Sequence, residues 1–183
     1  MGVSVYVMPL GTYLEGSFRT TWGPDGESDA PRGPSRSPEE ASLAVESFRR
    51  RLEGFVPRLS PWDESGPARS AITFSLDGFA LPFQLAHQWA YRLPLRRLCA
   101  LEPPQVWIPS EFEPTIRMKP PWAPEAEWTV ASAAGIQSEL VRLLLEIEGE
   151  EREDLEEAFR VTERLIEAAS TAVEHDAPVI VEA

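Results

Sequence analysis

At 183 residues, with 43% hydrophobic and 26% charged residues, the chain has the size and composition of one globular domain, which excludes wholesale disorder. A single cysteine, Cys99, excludes an intramolecular disulfide, and the lack of any apolar run of about 18 residues excludes a membrane-spanning helix. The net charge of −13 is lopsided: residues 125–183 hold 16 acids against 4 arginines, net −12, a segment that repels nucleic acid and anionic membranes and attracts basic partners.

Val3, Val5 and Val7 alternate with Ser4, Tyr6 and Met8 and predict a strand, ended by Pro9 and Gly11. This opening lacks the basic start of a signal peptide, so the expected compartment is the cytoplasm. Phe18 to Trp22 predicts a second short strand, and residues 23–37, rich in Pro, Gly, Asp and Ser, predict a mobile loop. Ser37-Pro38-Glu39-Glu40 then combines an N-cap, a proline suited to the first helical position and the glutamate of a capping box. The helix it starts is expected to run to about Glu53, with Ala41, Ala44, Val45, Phe48 and Leu52 inward and Gly54 closing it. Arg49, Arg50 and Arg51 suit the negative end of its dipole and are candidates to pair with the acidic segment, in the same chain or in a second copy.

Residues 57–67 predict a loop, and Ile72, Phe74 and Leu76 alternate as a strand. Asp77 is positioned to cap a helix from Gly78 to about Arg92, with Pro82 in its first turn and Phe79, Phe83, Ala86, His87 and Ala90 on one face. Arg96 to Leu101 and Gln105 to Ile108 predict short strands. Seven prolines between Pro103 and Trp128 favour edge strands and extended loops, Thr115 to Met118 among them. Residues 132–176 form the long apolar element. Ile136, Leu140, Leu143, Leu144 and Ile147, then Leu155, Ala158, Phe159, Thr162, Leu165, Ile166, Ala169 and Val173, recur at helical spacing on either side of Gly149. Val179-Ile180-Val181 predicts a last strand, buried beside the first. The expected architecture is one α+β domain over residues 1–183. It has a mixed or antiparallel sheet of about four to six strands, with the capped helix and the C-terminal helical hairpin packed mainly on one face.

Few residues suggest chemistry. His87 is the one candidate general base, set against the blander expectation that it faces the core among Phe83 and its neighbours. His175 at a helix end is accounted for by the dipole, and Cys99 by its apolar setting. No pair of His or Cys has metal-ligand spacing, and no glycine-rich phosphate loop or nucleophile elbow occurs, so neither metal nor cofactor is expected. Trp22, Trp62, Trp107 and Trp122, each within two residues of a proline, are candidate binding anchors or lids over the core. Glu150, Glu151, Glu153, Asp154 and Glu157 are the candidate contacts for a basic protein partner. The reading that follows is a non-catalytic binding or regulatory protein of the bacterial cytosol, of the kind that neutralises a basic partner, with no nucleic acid or membrane partner. The alternatives are an enzyme or small-ligand binder with a Trp- and Pro-lined pocket near His87, or a homo-oligomer.

Overall fold

The computed structural model describes residues 2–16, 18, 34–150 and 152–182. Much of the segment 18–22 and most of the loop 23–37 therefore lie outside the described residues. Six strands form one mixed sheet: β1 (Gly2–Val7), β2 (Ser70–Ser75), β3 (Gln105–Ile108), β4 (Ile116–Met118), β5 (Trp128–Ser132) and β6 (Val179–Glu182). Their order is β2-β1-β6-β3-β5-β4, and every neighbouring pair is antiparallel except β3 with β5. The helices are α1 (Leu10–Glu15), α2 (Pro38–Glu53), α3 (Leu76–Trp89), α4 (Arg96–Ala100), α5 (Ala133–Gly149) and α6 (Glu156–Glu174). The α+β class and the C-terminal hairpin α5–α6 stand as the sequence predicts, and β6 lies beside β1.

The alternation of side chains along the strands divides the core in two. Val3, Val5, Val7, Trp107, Ala131, Val179 and Val181 point to one face, where α3, α4, α5 and α6 cover them. Tyr6, Val106, Ile108, Val130 and Ile180 point to the other, where α1 and α2 pack together with Trp62, Trp122 and Trp128. The capped helix and the hairpin therefore lie on opposite faces, a correction to the expected one-sided packing. The cause is visible in β3 and β6: each places large apolar side chains on both faces, Trp107 against Val106 and Ile108, and Val179 and Val181 against Ile180. All of them are buried, so each face needs its own cover.

α2 begins as its sequence demands. The Ser37 hydroxyl accepts from the Glu40 amide at 3.3 Å, and the Glu40 carboxylate accepts from the Ser37 amide at 3.1 Å, a reciprocal cap that contributes about 1 kcal/mol. Gly54 follows the helix in a right-handed conformation, φ −65°, so no left-handed cap is needed there. α3 starts earlier than predicted, because Ser75 and not Asp77 is its cap, accepting from the Gly78 amide at 3.0 Å. Pro82 consequently sits in the helix interior. The predicted strand at Arg96 to Leu101 is instead the helix α4. Leu95, Leu98 and Leu101 recur every three residues and all are buried, which a helical turn satisfies and an alternating strand does not. α1 and β5 carry no sequence prediction; β5 is short and buried throughout, without the polar alternation that marks a one-sided strand.

Candidate functional site

The residues with catalytic potential are scattered. His87 lies one position past the buried stripe of α3, which runs through Phe79, Pro82, Phe83, Ala86 and Trp89. It is exposed on the helix surface, and so is Ala90, which corrects the expected core-facing placement. The earlier helix start does not shift the periodicity; Trp89, not His87 or Ala90, continues the buried stripe after Ala86. No nucleophile or carboxylate hydrogen-bonds to His87 among the described residues. Cys99 is half-buried in the cleft formed by residues 90–96, and burial raises its thiol pKa above the ordinary value, which opposes nucleophilic use. Among the described residues no group of three or more His, Cys, Asp or Glu side chains is arranged to hold a metal.

The described candidate tryptophans, Trp62, Trp107 and Trp122, do not form one site. Trp62 and Trp122 are buried around Phe48 beneath α2, with ring centroids 6.3 and 4.9 Å from the Phe48 ring. Trp107 is wholly enclosed on the opposite face of the sheet, and Trp22 lies outside the described residues. The rings of Trp62, Trp107 and Trp122 are core material, and they do not line a pocket near His87 among the described residues.

A cleft of about 410 Å³ opens between α1, α2 and the loop carrying Glu64, with Thr12, Glu15, Ser42, Glu46 and Arg49 in its walls. The charges of Glu46, Arg49 and Glu64 are already engaged within the protein. Pro9, at the start of α1, supplies no side-chain cap, and Glu64 takes over that task from 53 residues away, its Oε2 accepting the Gly11 amide at 2.8 Å. Glu64 Oε1 accepts from the Trp62 indole, while the Arg49 guanidinium lies 4.4 Å over the Trp62 ring and donates to its carbonyl at 3.3 Å. Burial raises the Glu64 pKa, and the hydrogen bonds from Gly11 and Trp62 and the charge of Arg49 only partly offset it. The folded state therefore binds this proton more tightly than the unfolded chain does. The stabilisation is fully present below the unfolded glutamate pKa of about 4.3 and is lost as pH rises through the higher folded value. In paired denaturation curves, wild type is expected to lose stability relative to Glu64→Gln over that rise; a difference independent of pH would refute the assignment.

The acidic connection between α5 and α6 is less available than its sequence suggests. Glu150 and Glu146 both pair with Arg92, at 2.7 and 3.1 Å, and Asp154 pairs with Arg152 at 2.6 Å. Glu157 is exposed, but its carboxylate lies by Gly78, at the N-terminal turn of α3, where the helix dipole favours an anion. Glu151 and the Glu153 side chain lie outside the described residues. The arginines of α2 are also engaged elsewhere. Arg49 covers Trp62, Arg50 pairs with Glu46, and Arg51 donates to the Lys119 carbonyl at 3.0 Å. They lie on the other side of the sheet from the hairpin, and no pairing between them and the hairpin occurs among the described residues.

The open acidic surface is the outer seam of the hairpin. Gln137 Nε2 donates to Ser170 Oγ at 2.8 Å and marks where the two helices touch on the side away from the sheet. Steps of three and four residues from that point place Val141, Leu144, Leu145 and Glu148 along α5, and Phe159, Glu163 and Ile166 along α6. Val141 is 40% and Leu145 62% exposed, beside half-buried Leu144, Phe159 and Ile166. Glu148 and Glu163 are exposed there and form no salt bridge among the described residues, whereas Glu156 and Glu167 pair with Arg160 and Arg164. The result is an apolar strip in an anionic setting. Its signal lay in the sequence as Val141 and Leu145, two large apolar residues on the polar side of the α5 wheel. Comparison with protein-family models, with curated proteins and with solved structures gives no match to this chain.

Proposed function

We propose that this is a non-catalytic binding protein of the bacterial cytosol that holds a basic protein partner on the outer seam of α5–α6. The observation that carries the reading is the pair Val141 and Leu145, left open to solvent within a segment of net charge −12. Single exposed aliphatic residues are ordinary, but these two are four residues apart on one helix and continue into Leu144, Phe159 and Ile166. Apolar contact there supplies affinity, and the surrounding carboxylates steer a positively charged partner and reject anionic ones. A neutralising role toward a basic enzyme or toxin fits this division of labour. That no helix among the described residues is long and apolar enough to cross a membrane is compatible with the cytosolic assignment.

The test uses a fluorescent amphipathic helical peptide rich in Leu and Lys, with its Leu/Glu counterpart as control. Only the basic peptide is expected to bind, with affinity falling at least about tenfold between 0.05 and 0.5 M salt as the charges are screened. Leu145→Ser, which leaves the charge unchanged, is expected to weaken binding about fivefold or more. Failure of the basic peptide to bind, or binding indifferent to both salt and Leu145→Ser, would overturn the proposal.

A further inference from the structure

The two edges of the sheet are built differently. β4 has three residues, exposes Arg117 at its centre and is flanked by Pro114, Pro120 and Pro121, the features by which an edge is kept from pairing. β2 has six, Ser70-Ala71-Ile72-Thr73-Phe74-Ser75, with no charge and no proline, and among the described residues it pairs with β1 alone. Its side chains are exposed or half-buried throughout. An uncharged, β-prone edge of this length is a template for another strand.

We propose that β2 joins the β2 of a second copy, antiparallel about a two-fold axis through Thr73, making one continuous sheet across a homodimer. The strand's own sequence selects this occupant and this register. A two-fold axis normal to the sheet sets residues of the same face opposite each other, so the paired numbers must sum to an even value. With Thr73 on the axis, Ile72 meets the second copy's Phe74, an aliphatic–aromatic cross-strand pair formed twice. Phe74 already stands beside Phe79, ring centroids 6.0 Å apart, so Ile72 of the second copy extends an existing apolar row. The same register brings the end bearing Arg69 toward the end bearing Asp77, so the flanking charges are complementary. Moving the axis to Ile72 sets Ser70 against Phe74 and Arg69 against Ser75, losing both pairings. Mutual repulsion of the acidic helices is kept from the axis, because α3 packs on β2 and β1 and stands between α6 and this edge. The inference is independent of the partner seam on α5–α6, which lies on other elements.

Light scattering on the intact protein at about 100 µM, a concentration at which a weak interface of this kind is populated, is expected to give twice the 20.4 kDa chain mass. Thr73→Lys, at an exposed position, puts like charges face to face on the axis and is expected to return the protein to one chain mass with its fold intact by circular dichroism. In a Cys99→Ser background, Thr73→Cys is expected to form an intermolecular disulfide on mild oxidation, since residues paired on the axis lie about 4.5–5.5 Å apart at Cα, within disulfide reach. A single-chain mass at that concentration overturns the proposal. So does a dimer that survives Thr73→Lys and yields no Thr73→Cys cross-link, or an edge that takes up an extended peptide while the protein remains a monomer.

Discussion

Replacing Glu139 by alanine is expected to cost about 3–5 kcal/mol of folding free energy, the range for breaking a buried, hydrogen-bonded ion pair from one side. Glu139 stands on α5 and is only 4% exposed, yet it carries the start of another helix. Its Oε2 accepts the amides of Arg97 at 2.9 Å and Leu98 at 3.0 Å, the first turn of α4, for which Leu95 provides no side-chain cap. Its Oε1 accepts from the Arg97 guanidinium at 3.2 Å. Arg97 in turn donates to the Phe112 carbonyl at 3.2 Å and lies so close over Gly135 that a Cβ there would come within 2.4 Å of Nε. Truncation leaves two amides and a largely buried guanidinium without their acceptor. At about 2–4 °C per kcal/mol for a chain of this size, melting is expected to fall by roughly 6–20 °C. Glu139→Gln retains an acceptor for the amides and is expected to cost less than half as much. A loss under about 1 kcal/mol for Glu139→Ala, by urea or thermal denaturation, would show that the cluster does not hold α4 in place.

Trp107→Ala is expected to be of similar or larger size, about 3–5 kcal/mol or complete loss of folding. Trp107 is 0% exposed and sits mid-sheet on β3, under the hairpin and α4. Its neighbours come from strands paired on both sides, Ala131 on β5 and Val179 on β6, so local collapse cannot refill the space. The indole also donates to Gln105 Oε1 at 2.8 Å, and the buried Gln105 Nε2 has no partner among the described residues. Trp107→Phe isolates the polar contribution. It leaves most of the volume filled but deprives a buried amide of its one hydrogen bond, for an expected loss of about 1–3 kcal/mol. Adding Gln105→Leu to Trp107→Phe is expected to recover part of that loss, since an apolar side chain of similar size has nothing to satisfy. Equal stability of the single and double variants would remove the desolvation argument.

The legible parts of this protein are those settled between residues close in the chain. The reciprocal cap at Ser37 and Glu40, the 3.6-residue stripes of α5 and α6 with their break at Gly149, and the alternation in β1 and β2 could all be read directly and stand in the structure, except that Val173 is exposed and Ala172 takes the buried place in the last turn of α6. The misreadings occur where a short apolar run satisfies two periods. Arg96 to Leu101 is too short to separate strand from helix by pattern, and its helical state depends on Glu139, about 40 residues further on. The expected face of α3 holds as far as Ala86, but Trp89, not His87 and Ala90, continues it; a shift of one residue turns a helical side chain by 100°. The acidic connection was visible as charge, but pairing of Glu150 and Asp154 with Arg92 and Arg152 moved the open carboxylates to the seam.

By itself, then, the order of residues determined the long helices α2, α3, α5 and α6, the strands β1, β2, β3, β4 and β6, and that the negative charge gathers in the last third. Those properties follow from steric and solvation preferences acting over one or two turns. Only the tertiary structure decided that α2 and the hairpin take opposite faces, that Glu64 and Glu139 cap helices remote in sequence, and that β2 is the longer edge, paired with β1 alone among the described residues. Each of these depends on how strands are ordered across the sheet. That order is set by burying both faces of β3 and β6 at once, a condition no single stretch of the chain contains.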